Sequence, residues 1–404
     1  MALISLHTSP LVQPGSGDSG GMNVYVREVA SALAQAGVEC TTYTRAHRPG
    51  LPDEVAVEPG HRVVHVPAGA FDLPKEALAD EIDVFTAGVQ DHIASGSGVD
   101  VVHGNYWLSG VVGHRLKHAL DVPLVSTFHT LARVKAEGGD LEPSWRDQAE
   151  AEVIGCSDAI CVSCPEEERQ FRRLYGDPAG RVEVVPLAVE HAFFAPGDRC
   201  GARQAVGLPL DRPVVLFVGR IQPLKAPDVA IRALAELGDP RAVLVVVGGA
   251  SGIEGDDEVA VARRLVAQLG LVDQVVFVPP QPHHILSSFY RAADVVIVPS
   301  RSESFGLVAL EAAACGIPVV ASAVGGLLNI VHDGVTGLLV DGREPARFAR
   351  ALHQVLADPA GATAMGEAAA VRARRFTWSF TAARLRRVYH DLVAEPQRQL
   401  VACS

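Results

Sequence analysis

Two carboxylates eight residues apart, Glu303 and Glu311, close the stretch Pro299-Ser-Arg-Ser-Glu-Ser-Phe-Gly-Leu-Val-Ala-Leu-Glu311. The apolar run 295–298 before it has the composition of a buried parallel strand. After a polar turn, a helical pattern runs to Cys315, where Gly316 and Pro318 stop it. With both glutamates on that helix, a rise of about 1.5 Å per residue sets them ~12 Å apart along the axis and roughly 80° apart around it. Carboxyls that work as acid and base on one glycosidic bond stand about 5 to 9.5 Å apart. The spacing suits instead two carboxylates holding hydroxyls at opposite ends of one long ligand. Free N–H groups around Ser304, Phe305, Gly306 and Leu307 suit an anion in the middle. A sugar, a diphosphate and a ribose in a row is such a ligand.

Arg220 and Lys225 follow the apolar run 214–218. Arginine offers a planar fork to phosphate oxygens and lysine a point charge, so the pair can stabilise a departing diphosphate. A solvated basic turn is the plain alternative. Gly15, Gly17, Gly20 and Gly21 follow the first strand and open a helix. Glycines there let backbone N–H groups approach a phosphate. Gly15, Gly17 and Gly20 also fit a dinucleotide-binding pattern, but that motif needs an acidic residue closing the second strand, which here ends in Thr44 and Arg45. Gly248, Gly249 and Gly252 end another strand, as a ligand edge or a flexible turn. The segments 103–109 and 127–131, the second carrying His129, put polar groups at two first-half strand ends. Taken alone, Lys75, Lys135 and Arg146 are ordinary surface cations. His283 and His284 are adjacent, so they point to different faces and suit surface or capping roles. Cys161 and Cys164 have metal or redox spacing, with Cys156 nearby. No second such pair and no histidine at finger spacing accompanies them, so they read as small core residues and no metal site is expected.

These groups need a scaffold. A chain of 404 residues is long for one core. Hydrophobic residues make up 48% and charged residues 20%, which is globular; a net charge of −12 argues against nucleic acid and anionic membrane surfaces as partners. No apolar run reaches membrane-spanning length, no secretory signal pattern opens the chain, and seven cysteines form no disulfide framework, so a cytoplasmic protein is expected. Strand patterns near 2–6, 39–44, 62–66, 100–103, 123–127, 158–163 and 182–185 alternate with helices, and a second set covers 214–218, 242–247, 274–278, 295–298, 318–321 and 336–340. Such alternation predicts an α/β chain of two Rossmann-like doubly wound domains facing across a cleft, with ligands beyond the carboxyl ends of the strands. The expected boundaries are 1–190, 191–376 and a tail, 377–404, whose helix at about 378–394 returns to the first domain.

Together these motifs resemble the family-4 retaining glycosyltransferases of the two-domain GT-B fold. The pairs Glu303/Glu311 and Arg220/Lys225 match that family's second-domain signature. The opening from Ser5 to Tyr25, the run Tyr106-Trp-Leu-Ser-Gly110 and the run His129 to Lys135 are similar to the branch that starts mycothiol synthesis by joining N-acetylglucosamine from its UDP donor to inositol phosphate. The resemblance implies that Lys75, Tyr106, Thr130 and Arg146 hold the acceptor phosphate, that His7 and Asn23 face the inositol, and that Gly21 approaches the donor diphosphate. It implies that Arg220, Lys225, Glu303, Ser304, Phe305, Gly306, Leu307 and Glu311 bind the donor. Arg220, Lys225, Glu303 and His129 would serve the chemistry.

Three places depart from the family pattern: the surroundings of Arg146, Ala226 after Lys225 where a glycine is usual, and Leu187-Ala188 at the hinge. Sister enzymes of natural-product pathways share much of the pattern and use other acceptors. The expected reaction is retaining and metal-independent, needs no cofactor beyond the UDP-sugar substrate, and takes a small-molecule donor and acceptor; a homodimer stays open. A nicotinamide oxidoreductase and a non-catalytic sugar-nucleotide binder are the competitors. Release of UDP dependent on added acceptor separates all three.

Overall fold

The computed structural model describes residues 1–15, 17, 19–96, 98–139, 142–250 and 255–394. Its described residues divide into two compact units, one drawn from 1–13, 21–186 and 378–394 and the other from 14–20 and 187–377. The glycine-rich segment 14–20 thus groups with the second unit.

The first unit holds strands Ala2–Ile4 (β1), Cys40–Arg45 (β2), Glu54–Glu58 (β3), His61–Val66 (β4), Val102–Asn105 (β5), Leu124–Thr127 (β6), Ala159–Val162 (β7) and Arg181–Val184 (β8). They form one sheet in the order β3-β4-β2-β1-β5-β6-β7-β8. Every pairing is parallel except that of β3 with β4. The alternating strand and helix patterns did not predict that antiparallel edge hairpin. Its sequence is Glu-Val-Ala-Val-Glu with no fully buried residue, and the Pro59-Gly60 turn joins it to β4. The inner strands β1, β5, β6 and β7 are buried along their whole length because helices cover both faces. Ile4, Val102, Leu124 and Ile160 pack with Phe85, Leu108 and Phe171 into one core, each fully buried apolar side chain contributing about 1.5–3 kcal/mol.

The last helix, Trp378–Ala394, belongs to this first unit and packs on the helix Gly21–Gln35. Its Trp378, Leu385 and Tyr389 are buried. Polar contacts fix its register: Thr381 Oγ1 donates to the Pro186 carbonyl (2.7 Å), Arg181 donates to the Val388 carbonyl (2.9 Å), and the Tyr389 hydroxyl lies 2.7 Å from His103 Nδ1.

The second unit holds Val214–Val218 (β9), Val243–Val247 (β10), Val275–Val278 (β11), Val295–Val298 (β12), Val319–Ser322 (β13) and Gly337–Val340 (β14), in the order β11-β10-β9-β12-β13-β14 with every pairing parallel. Both sheets are doubly wound. Strand order reverses between β1 and β5 in the first and between β9 and β12 in the second. Beyond the carboxyl ends at such a reversal, adjacent loops diverge and leave a crevice where ligands bind.

Candidate active site

In the second unit the reversal brings together the loops after β9 and β12. The β9 loop carries Arg220 and Lys225, and the β12 loop carries Glu303. The Arg301 N–H donates to the Leu224 carbonyl (2.9 Å) and ties the loops to each other. Lys225 Nζ then reaches Glu303 Oε2 at 2.5 Å, with both side chains partly buried, and Ser300 Oγ lies 3.4 Å from the same oxygen. Arg220 Nη1 lies 3.5 Å from the Gly17 carbonyl oxygen. The glycine segment is in turn laced to the β10 end: Gly249 N–H donates to the Gly15 carbonyl (3.1 Å) and Gly17 N–H to the Ala250 carbonyl (3.0 Å). Gly248 and Gly249 therefore sit beside the basic loop, while Gly252 lies outside the described residues.

The helix starts later than its sequence pattern suggests. It spans Leu307–Ala314, preceded by Gly306 at φ 100. That left-handed turn, which glycine adopts readily, ends the loop holding Ser304 and the buried Phe305. Glu303 is thus outside the helix, and the helical spacing of about 12 Å between the glutamates does not apply. The loop is held by its backbone instead. Glu303 O accepts from Gly326 N–H (2.8 Å), and a Cβ on Gly325, at φ 48, would sit 2.0 Å from that same oxygen. The Gly325-Gly326 pair is a supporting element missed from sequence, though two glycines after a buried strand were its visible signal.

Glu311 lies inside the helix, 7% exposed, and accepts a 2.6 Å hydrogen bond from the Tyr290 hydroxyl. Burial raises its carboxyl to about 7, a shift the tyrosine bond only partly offsets. Because the folded-state value lies above the ordinary 4.5, the folded protein holds a proton that the unfolded chain releases between pH 4.5 and 7. Stability falls as pH rises through that window. Glu311→Gln removes the penalty, so the variant gains about 3 kcal/mol over the wild type at pH 8 and little at pH 5. Urea denaturation at the two pH values checks this, and an equal gap at both contradicts it.

Ala226, where the family pattern has glycine, sits at φ 52 and is buried. A side chain in that left-handed conformation costs roughly 1–2 kcal/mol.

In the first unit the neighbouring ends of β1, β5 and β6 present the other predicted residues. The His7 and Tyr106 rings lie 4.5 Å apart. Asn23, in the helix Gly21–Gln35 that Gly21 opens, directs its amide N–H groups to Thr8 Oγ1 (2.6 Å) and the Ser9 carbonyl (2.7 Å), and so shapes the loop after β1. Tyr106 at φ 78 and His129 at φ 61 are two of four non-glycine residues with positive φ among those described. Such strain gathers where surrounding packing forces a functional placement. His129 Nε2 lies 3.1 Å from Asn105 Oδ1, and its ring meets Tyr25 edge-on. Burial lowers its ring to about 3, so it is neutral near pH 7. Asn105, fully buried, was not singled out from sequence.

Tyr106 is the hub of the predicted phosphate set. Lys75 Nζ lies 4.7 Å from its ring centre and the Arg146 guanidinium 5.1 Å. Arg146 also donates to the Thr130 carbonyl (3.1 Å), with Thr130 Oγ1 at 3.5 Å. The four residues form one cluster. Arg146 is no surface cation: it is 2% exposed and bridges Glu142 and Glu150 at 2.8 Å each. Lys135 pairs with the same Glu142. Glu150 further accepts from Ala132 N–H (2.9 Å) and the Tyr175 hydroxyl (2.6 Å). Carboxylates thus orient the guanidinium at the site edge.

Elsewhere, Cys161 and Cys164 are buried, and Cys164 caps the helix Pro165–Tyr175 through its sulfur. His283 opens the helix His283–Ala292 and meets Phe194 edge-on. Arg45, at the end of β2, donates to the Ala70 carbonyl (2.7 Å), so that strand end offers a cation to its surroundings where a dinucleotide site needs an acid. Among the described residues, no helix is long and apolar enough to cross a membrane.

Two doubly wound units, one with a lysine–glutamate pair at its switch point and the other with a Lys-Tyr-Thr-Arg cluster, have the architecture of the GT-B glycosyltransferases. The "Glycosyl transferase 4-like domain" family matches residues 20–188 and "Glycosyl transferases group 1" matches 199–372. The D-inositol 3-phosphate glycosyltransferase of Acidothermus cellulolyticus is 47% identical over 98% of this chain and 91% of its own length. That of Mycobacterium tuberculosis is 46% identical over 99% and 85%. Among solved structures, sucrose-phosphate synthase from Thermosynechococcus elongatus superposes with a TM-score of 0.92 at 35% identity, covering 97% of this chain and 98% of that one. The chain belongs to this glycosyltransferase family.

Proposed function

We propose that this glycosyltransferase moves N-acetylglucosamine, with retention, from UDP-N-acetylglucosamine to 1D-myo-inositol 3-phosphate. The observation that carries the reading is that the chain holds two sets of charge, one in each unit. One is Lys225 with Glu303 at the β9/β12 reversal; the other is Lys75, Tyr106, Thr130 and Arg146 at the β1/β5/β6 edge. The names of the relatives support the acceptor.

In this reading Arg220, Lys225 and the N–H groups at the start of the helix Leu307–Ala314 take the diphosphate. Glu303 holds the sugar hydroxyls and Glu311 the ribose. Without donor, Lys225 and Glu303 neutralise each other; the diphosphate then takes the lysine and the sugar takes the carboxylate. His7, Asn23 and neutral His129 present hydrogen-bonding groups to the inositol and the reacting sugar. The acceptor hydroxyl attacks C1 on the face that the diphosphate leaves. The C1–O bond breaks with its electron pair on the diphosphate, which accepts the hydroxyl proton. Cationic side chains stabilise that charge with no metal in the step, so EDTA leaves the rate unchanged; loss of activity restored by Mg²⁺ contradicts this.

Lys75→Ala tests the acceptor half. Hydrogen bonds to charged groups contribute about 1.5–3 kcal/mol, so KM for the phosphorylated acceptor rises roughly ten- to a hundred-fold while the donor KM stays put. The variant also loses its preference for inositol phosphate over free inositol. An unchanged acceptor KM would make Lys75 a solvated cation at the start of its turn.

A further inference from the structure

We propose that His114, His118 and Cys156 form a redox-gated site for a thiophilic divalent cation such as Zn²⁺, separate from the proposed active site. His114 and His118 stand four residues apart in the helix Trp107–Leu120, so both rings lie on one face. Cys156 is the last residue of the helix Ser144–Cys156. One donor atom from each of the three falls within 4.8 Å of the others, and His118 Nε2 is 3.4 Å from Cys156 Sγ.

Metal–nitrogen bonds of about 2.0–2.1 Å and metal–sulfur bonds of about 2.3 Å in a tetrahedron set donors roughly 3.3–3.7 Å apart. The 3.4 Å pair already meets that spacing, and the His114 donor lies within 4.8 Å of both. The sulfur is well placed for the part. The fully buried Lys117–Asp158 pair anchors its backbone, with Lys117 Nζ donating to the Cys156 carbonyl at 2.7 Å and to Asp158 at 2.9 Å. Cys156 is buried and His118 exposed, which leaves an entry path from solvent. Two imidazoles and a thiolate select zinc-like ions over Mg²⁺ or Ca²⁺, and water completes the tetrahedron.

Cys156 is disulfide-bonded in this structure, so its sulfur becomes a ligand only after reduction. A phosphine supplies the two electrons. It leaves as its oxide with oxygen from water, and the water's two protons give two thiols. On metal binding the Cys156 thiol releases its proton to solvent. The bound ion clamps the helix that begins beside Tyr106 to the helix that carries Arg146, so it acts on the scaffold of the acceptor cluster and takes no part in the transfer step.

The test is a Co²⁺ titration of the full-length protein, stripped of metal, before and after treatment with tris(2-carboxyethyl)phosphine. The reduced protein is expected to bind one equivalent, show a thiolate-to-cobalt charge-transfer band, melt at a higher temperature, and yield the ion to Zn²⁺. The oxidised protein lacks the band. Cys156→Ser abolishes it, and His114→Asn and His118→Asn each weaken binding at least tenfold while the metal-free variants melt as the wild type does. Absence of stoichiometric uptake by the reduced wild type, which requires no variant to fold, overturns the proposal. So does equal affinity in the doubly substituted His114→Asn/His118→Asn protein.

Discussion

Glu303→Gln is expected to lower kcat roughly a hundred- to a thousand-fold while UDP binds as tightly as before or more tightly. Removing one preorganised electrostatic partner of a transition state costs about 2.7–4 kcal/mol. The substitution is close to isosteric, and the loop is held by the Gly326 N–H on the Glu303 carbonyl, a bond that the side chain does not touch. On the proposed reading the amide still bonds sugar hydroxyls. It no longer offsets cationic charge at C1, and it no longer neutralises Lys225, which sits 2.5 Å away. The released ammonium is then free to bind phosphate, so UDP affinity does not fall. Single-turnover kinetics and calorimetric titration of UDP separate the two effects. A variant with near-normal kcat removes Glu303 from the chemistry.

Arg146→Ala is expected to destabilise the first unit by about 3–5 kcal/mol, the cost of removing one partner from a buried ion pair. The loss arises at Glu150, which is fully buried and keeps only Ala132 N–H and the Tyr175 hydroxyl once the guanidinium is gone. Replacing both partners avoids a stranded charge, so Arg146→Met with Glu150→Gln recovers most of the stability. Acceptor recognition does not recover with it. The double variant, folded, keeps a raised KM for inositol phosphate because the cation beside Tyr106 and Thr130 is missing. Chemical denaturation and acceptor kinetics on the same samples give the two readouts. A double variant with wild-type acceptor KM assigns Arg146 to the scaffold alone.

The contrast between these residues shows what a sequence conveys. The central strands of the second unit were legible because burial on both faces writes them as unbroken apolar runs, as in 214–218 and 295–298. The ends of those two runs then marked Arg220, Lys225 and Glu303 as candidates from the sequence. The edge strand β3 escaped because its alternation with glutamate resembles an exposed loop. The true start of the helix after Glu303 escaped because a single left-handed glycine, Gly306, reset the chain direction inside an otherwise helical pattern. Long-range partners were out of reach: Tyr290 for Glu311 is 21 residues away and Glu150 for Arg146 is visible only as an ordinary helical spacing. Arg146 therefore read as a surface cation, although burial against carboxylates fixes its direction.

Transfer from a UDP-sugar to a phosphorylated inositol is read most plainly as acceptor-dependent release of UDP from UDP-N-acetylglucosamine, with the product's anomeric configuration read by NMR. UDP is expected to appear only when acceptor is present, at least tenfold faster at limiting concentration with 1D-myo-inositol 3-phosphate than with free inositol, and the product is expected to keep the α-configuration of the donor. UDP release that proceeds equally without acceptor, or a β-linked product, rules out retaining transfer to inositol phosphate.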